Sequence, residues 1–257
     1  MKEFFDITHW LGLPSDVSTH GAELDYMTGI VHILMLVLFV GWGVFFIYTL
    51  IRFRSSRNPK ASYKGATGKL SMYQEGAVVL AEVLLLFVFA IPSWAVIKND
   101  FPAQSEAIEV NVVGEQFAWN FHMAGADGVF GRRSIDLVDT ATNPLGVDWD
   151  DPASADDIIT VNEMHIPENT PIIANISSKD VIHSFSLPNL RVKQDAIPGL
   201  TIPVWFEATD TGRFDIGCAQ LCGLGHYRMH GWLNIHTQSE FDDWVQNYMD
   251  ELEEFGR

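Results

Sequence analysis

Residues 29–51 (GIVHILMLVLFVGWGVFFIYTLI) run for 23 positions with no acidic or basic side chain other than His32. As an α-helix rising 1.5 Å per residue, such a run crosses the roughly 30 Å of hydrocarbon in a bilayer. A second run, residues 77–97 (AVVLAEVLLLFVFAIPSWAVI), is 21 residues long and interrupted only by Glu82. Lipid offers the backbone no hydrogen-bond partners, so each run is expected to be a helix, and the two together a transmembrane hairpin.

The flanking charges orient that hairpin. Between Arg52 and Lys69 stand six basic residues (Arg52, Arg54, Arg57, Lys60, Lys64, Lys69) and no acidic one, which marks the connection as cytoplasmic. Both termini then lie outside, in the periplasm of a bacterial inner membrane. The first 28 residues carry five acids against Lys2, and residues 99–257 carry 26 acids against 8 bases. A net charge of −17 has the wrong sign for a nucleic-acid partner. No cationic, apolar and small-residue cleavage pattern precedes the first span, so no removable signal is expected. The expected organisation is an extracytoplasmic segment 1–28, a hairpin 29–97 with its basic loop at 52–76, and an outer domain 98–257.

The outer domain reads as mainly β. Alternating or β-branched runs at 107–114, 116–122, 170–177, 201–208, 212–218 and 231–236 are separated by Gly, Pro, Asn and Asp. Six or more short strands in such a length favour a Greek-key sandwich or barrel. Residues 124–157, rich in Gly, Pro, Asp and Ala, read as a long loop. A closing helix is expected after Thr237, which has capping-box spacing to Glu240, with Phe241, Trp244, Val245, Tyr248 and Leu252 on one face.

The chain has two cysteines, Cys218 and Cys222, in the run GCAQLCGLGHYRMHGW, followed by His226 and Met229. Thiolate, imidazole and thioether together are the ligand set of copper. An extracytoplasmic cysteine pair by itself reads as a disulfide; His226 and Met229 on the same loop argue against that. Zinc is disfavoured because Met binds it poorly and the spacing is not that of structural zinc. A mononuclear blue-copper site needs one thiolate, whereas two that can bridge, with one His per metal, describe a binuclear centre. His183, in KDVIHSFSLPNLRVKQDAIPG, is the candidate second imidazole. His9, His20, His122, His165, His230 and His236 lack partners at ligand spacing and read as surface or core histidines.

These residues give the chain its resemblance to subunit II of the haem–copper cytochrome c oxidases. That family's C-x-x-x-C-x-x-x-H-x-x-M run falls on Cys218, Cys222, His226 and Met229, with the upstream ligand at His183. The resemblance implies a cupredoxin-like outer domain and a binuclear copper centre, CuA, with the backbone carbonyl of Gln220 as a further ligand. It also implies an electron-accepting role. Electrons would come from cytochrome c or a membrane-bound cytochrome complex and pass to haem in subunit I, where oxygen is reduced and protons are translocated. Subunit III is a further expected partner.

Two departures from the family pattern stand out. The family's G-x-Q-W-x-W segment is matched by Gly114, Gln116, Phe117 and Trp119, so Phe117 stands where electrons enter in relatives. Trp119 is similar to the second family Trp and reads equally as a core aromatic. Gln220 replaces a Glu that reaches magnesium in many members, and a neutral amide loses the charge a hard cation favours. Asp195 matches a family residue at the same border, and Leu200 stands where many relatives have Arg.

In the second span, Glu75 resembles the family Glu at the mouth of a proton-uptake path and reads equally as a solvated residue of the helix start. Glu82 lies deeper, where a charge is costly, and is expected to face a polar group of subunit I; His32 is a weaker case. The rival reading from another class is a membrane-anchored periplasmic copper-delivery protein. A quinol-oxidase relative would lack these ligands, and no C-x-x-C-H attaches a haem to this chain.

Overall fold

The computed structural model describes residues 8–60, 63–64 and 68–254 as two compact units. The expected segments 1–28, 52–76 and 98–257 therefore each include some residues outside the described ones.

The first unit holds a short helix α1 (Thr8–Leu11) and the two long apolar helices. Helix α2 (Gly21–Arg52) is 32 residues long with mean hydropathy 2.6. It starts eight residues before the apolar run, because its first turns carry Glu23 and Asp25 and the run marks only its uncharged part. Arg52 in its last turn complements the negative end of the helix dipole. The second long helix comprises α3 (Leu70–Leu84), a π-helical turn over Leu85–Ala90 and α4 (Ile91–Asn99). Pro92 follows that turn, and the widened coil relieves its missing N–H. Large side chains such as Met35, Phe39, Phe46, Leu80 and Phe87 are exposed along both helices, as expected of surfaces whose solvent is lipid.

The second unit is a β-sandwich whose first sheet contains β1 (Ile108–Glu115), β2 (Ala118–Met123), β3 (Ile158–Val161), β5 (Pro171–Ser178) and β8 (Ile202–Glu207). Its second sheet contains β4 (Glu163–Pro167), β6 (His183–Leu187), β7 (Val192–Ala196), β9 (Gly212–Cys218) and β10 (His230–His236). The strand orders are β3-β2-β1-β5-β8 and β4-β10-β9-β6-β7. Period-two alternation decides the faces: Leu233 and Ile235 of β10 are buried, while His230, Trp232, Asn234 and His236 alternate with them. Between the sheets, Trp119, Phe121, Phe185 and Phe206 are buried, and the Trp119 and Phe185 rings meet edge to face at 5.3 Å.

Residues 14–22 belong to this sandwich. The Val17 side chain is in the core, its N–H donates to Asn189 and its carbonyl accepts from Thr209. The 124–157 segment has no strand but is ordered by its acids: the Asp139 carboxylate accepts from the N–H groups of Ala141 and Thr142, and Asp156 from those of Ala126 and Asp127. Buried His122 and Asp157, 2.8 Å apart, anchor its end. Helix α5 (Gln238–Glu254) starts at the expected cap, with Thr237 N–H donating to Glu240 and Glu240 N–H to Thr237 Oγ1. Phe241, Trp244, Val245 and Tyr248 pack toward the core.

Candidate metal centre

Strand β9 delivers Cys218 and β10 begins at His230, so residues 219–229 form a loop across one end of the sandwich. Backbone bonds pin both ends of that loop: Cys218 N–H donates to Met229, and Ala219 N–H to Ser184 on β6. His183, the first residue of β6, thereby stands beside the loop although 35 residues separate it from Cys218.

The side chains converge. Sγ of Cys218 and Cys222 are 3.9 Å apart; Nδ1 of His183 is 3.9 Å from Cys218 Sγ and 3.1 Å from Met229 Sδ. Nδ1 of His226 is 3.6 Å from Cys222 Sγ, and Met229 Sδ is 3.7 Å from it. Among the described residues, His183, Cys218 and Cys222 form a group that could hold a metal ion, their three donor atoms all within 4.8 Å of one another. The Gln220 carbonyl stands 3.2 Å from Cys218 Sγ, so the backbone also offers an oxygen to the cluster, while the Gln220 side chain is exposed. His183, Cys222 and Met229 are buried and His226 is half-buried. Two thiols, two imidazoles, a thioether and a carbonyl on one edge fit copper, with donors on both sides of the sulfur pair.

Asp180 orients the upstream imidazole. Its carboxylate lies 2.9 Å from His183 Nε2, and since a carboxylate only accepts, Nε2 holds the proton and Nδ1 turns its lone pair to the sulfurs. Burial opposes the charge on Asp180, but hydrogen bonds from His183 and from the N–H groups of Gln116 and Val181 outweigh it and keep its carboxyl below the usual range. Burial first, and then the neighbouring Cys218, pushes the Cys222 thiol up to about 11. A metal must therefore displace a proton on binding there.

The aromatic candidates occupy different layers. Phe117 is half-buried against the 223–225 backbone, with the Arg228 guanidinium 5.9 Å from its ring centroid. Trp119 is fully buried, its ring 5.9 Å from that of His183. Around the loop Leu221, Leu224 and Tyr227 are 75%, 97% and 86% exposed, an apolar rim that no spacing motif marks in the sequence. Asp195, on β7 opposite Ser184, is exposed, as is Leu200. Glu75 and Glu82 both lie on α3 with exposed side chains, and His32 Nδ1 is 2.8 Å from the Thr28 carbonyl of its own helix. Of the other histidines, His230 pairs with Asp215, His165 with His236, His122 with Asp157, and His20 rests on Trp205, while the His9 side chain lies outside the described ones.

A family model for the periplasmic domain of cytochrome c oxidase subunit II matches residues 108–235, which contain every donor named above. Cytochrome c oxidase subunit 2 of Synechocystis sp. is 30% identical over 245 residues, covering 87% of this chain and 73% of that protein. The chain belongs to the cytochrome c oxidase subunit II family. Another relative in this family, the alternative cytochrome c oxidase subunit 2 of Bradyrhizobium diazoefficiens, is 28% identical over 231 residues, 90% of this chain and 82% of that one. The crystal structure of the periplasmic domain of subunit II (CoxB) of Bradyrhizobium japonicum is 31% identical with a TM-score of 0.41, covering 56% of this chain and 94% of that chain. As a subunit II, the chain is part of a cytochrome c oxidase, and its outer sandwich is the cupredoxin-like periplasmic domain.

Proposed function

We propose that this subunit II receives electrons from cytochrome c, or from a cytochrome-bearing complex, at a binuclear CuA centre and passes them to haem in subunit I. One observation carries the reading: the two thiols share a site with one imidazole beside each, His183 by Cys218 and His226 by Cys222. A copper pair held by Cys218 and Cys222 would supply a one-electron carrier whose charge change is shared between the metals and their sulfur donors. His183, Met229, Cys218 and Cys222 would hold the buried side of the cluster, and His226 with the Gln220 carbonyl the outer side.

The protein contributes rigidity. Strands β6, β9 and β10 fix both ends of the ligand loop, so the donor atoms move little when the charge changes. Phe117 shields the loop on the side where electrons are proposed to enter, and Trp119 backs the His183 ring from the core. The acid surplus of residues 99–257 would attract a basic cytochrome, and the exposed Leu221, Leu224 and Tyr227 offer apolar contact once it arrives. Glu75 is proposed to stand at the mouth of a proton path, Glu82 to meet a polar group of subunit I within the membrane, and Asp195 and Gln220 to border that subunit. Without a carboxylate at Gln220, magnesium is not required by this reading.

Rapid mixing of reduced cytochrome c with the copper-loaded subunit tests the proposal. Electron transfer within milliseconds that slows steeply with added salt supports it; a rate independent of copper loading contradicts it.

A further inference from the structure

The β1–β2 turn is tied to both sides of the metal centre, to Asp180 before β6 and to Cys222 on the 219–229 loop, and both ties leave from one residue. The backbone N–H of Gln116 donates to Asp180 Oδ2 at 2.7 Å, and the same carboxylate binds His183 Nε2 through Oδ1 at 2.9 Å. The Gln116 side-chain Nε2 donates to the carbonyl of Cys222 at 2.6 Å. Gln116 thus connects the upstream imidazole to the backbone of the second cysteine, across 39 residues of sequence (222 minus 183).

The opposing loop is shaped to receive this contact. Gly223 has φ +140°, and a Cβ there would stand 2.8 Å from Gln116 Nε2 and 3.2 Å from the Phe117 ring. Phe117 then lies over Gly225, where a Cβ would also meet its ring. Lacking both β-carbons, the loop lies flush against the turn, and the carbonyl that precedes Gly223 is presented to the amide.

We propose that Gln116 is a positioning residue of the metal centre. Through the Cys222 carbonyl on one arm and Asp180 on the other, it fixes the distance between His183 and the Cys222 sulfur before any metal arrives. Its side-chain amide is the adjustable arm, because the backbone arm survives substitution. The inference rests on the copper reading for its spectroscopic test and on geometry alone for its metal-free test.

The experiment uses the full-length subunit in detergent and compares wild type, Gln116→Met, Gln116→Asn and Gln116→Lys, with Lys193→Met, exposed on β7, as a control outside the clamp. Met keeps the length and removes the donor; Asn keeps the amide but falls one methylene short; Lys restores an N–H donor. Three quantities are read: copper release to bathocuproine disulfonate, the copper hyperfine pattern and, without metal, amide hydrogen exchange over residues 221–225. Gln116→Met and Gln116→Asn should each speed copper release and amide exchange about three- to tenfold, the effect of one lost hydrogen bond, and shift the hyperfine splitting. Gln116→Lys should recover most of each, and Lys193→Met should match wild type. Met and Asn variants indistinguishable from wild type in metal-free exchange would overturn the clamp, and so would a Lys variant as impaired as Met. If wild type itself binds no copper pair, the copper reading falls, and metal-free exchange still decides the clamp.

Discussion

Sγ of Cys218 and Sγ of Cys222 lie 3.9 Å apart, each with a histidine Nδ1 within 3.9 Å, His183 beside the first and His226 beside the second. Two sulfurs at that separation with imidazoles at opposite ends make a site in which neither cysteine can stand for the other. Cys218→Ser and Cys222→Ser are each expected to abolish the paired-copper spectrum. A mononuclear signal or none should remain, measured by electron paramagnetic resonance with copper quantification.

Met229 tests whether a buried residue is there for packing or for its sulfur. Its side chain is 2% exposed, and Sδ points at both His183 Nδ1 and Cys222 Sγ. Met229→Leu conserves volume, so it should cost less than about 1.5 kcal/mol of stability. The copper spectrum and reduction potential should nonetheless change. A variant with unaltered spectrum and potential would reduce Met229 to a core residue.

The His165–His236 pair gives a pH dependence remote from the metal. Nδ1 of His165 and Nε2 of His236 are 2.9 Å apart, and His165 stacks on Trp244 of α5 with centroids 4.1 Å apart. Glu163, Arg213, Asn234 and Glu240 are the other polar groups around them. Burial, and then the neighbouring His236, lower His165 to about 4, and burial lowers His236 as well. A folded-state value below the unfolded one means that the unfolded chain takes up the proton first. Stability should therefore be fully present above about pH 6.5 and fall toward pH 4, by on the order of 2 kcal/mol for His165. Denaturation midpoints of wild type and His165→Phe between pH 4 and 7 check this: the variant, which keeps an aromatic ring on Trp244, should show the shallower slope.

Trp119 carries the core beneath the site. It is fully buried, with its ring edge-on to Phe185 and His183. Trp119→Ala should cost about 3–5 kcal/mol. Thermal unfolding of the metal-free subunit measures this, and a loss under about 1 kcal/mol would show that the core closes over the gap.

Local pattern made most of the fold legible. Pattern alone gives strand β9 the bounds it has, and β1, β2, β5, β8 and β10 theirs within one or two residues, because alternation and Gly or Pro punctuation lie within each segment. β3 and β4 were not read as strands: they are four and five residues long and separated by Asn162 alone, whose φ of +58° makes the turn. β6 and β7, five residues each, are too short for alternation to mark them within the segment around His183. The five converging donor side chains stand out by spacing and resemblance, whereas Asp180, the Gln116 bridge and the His165–His236 contact depend on how distant segments are brought together, which a sequence does not display. Asp180 lies three residues before His183, and that spacing was the available signal.

The most direct measurement is the electron paramagnetic resonance spectrum, with copper quantification, of the oxidised full-length subunit loaded with copper. Two coppers per chain and a seven-line mixed-valence hyperfine pattern are the result the account predicts. A four-line mononuclear signal, or a copper-free chain with Cys218 and Cys222 joined as a disulfide, would contradict it.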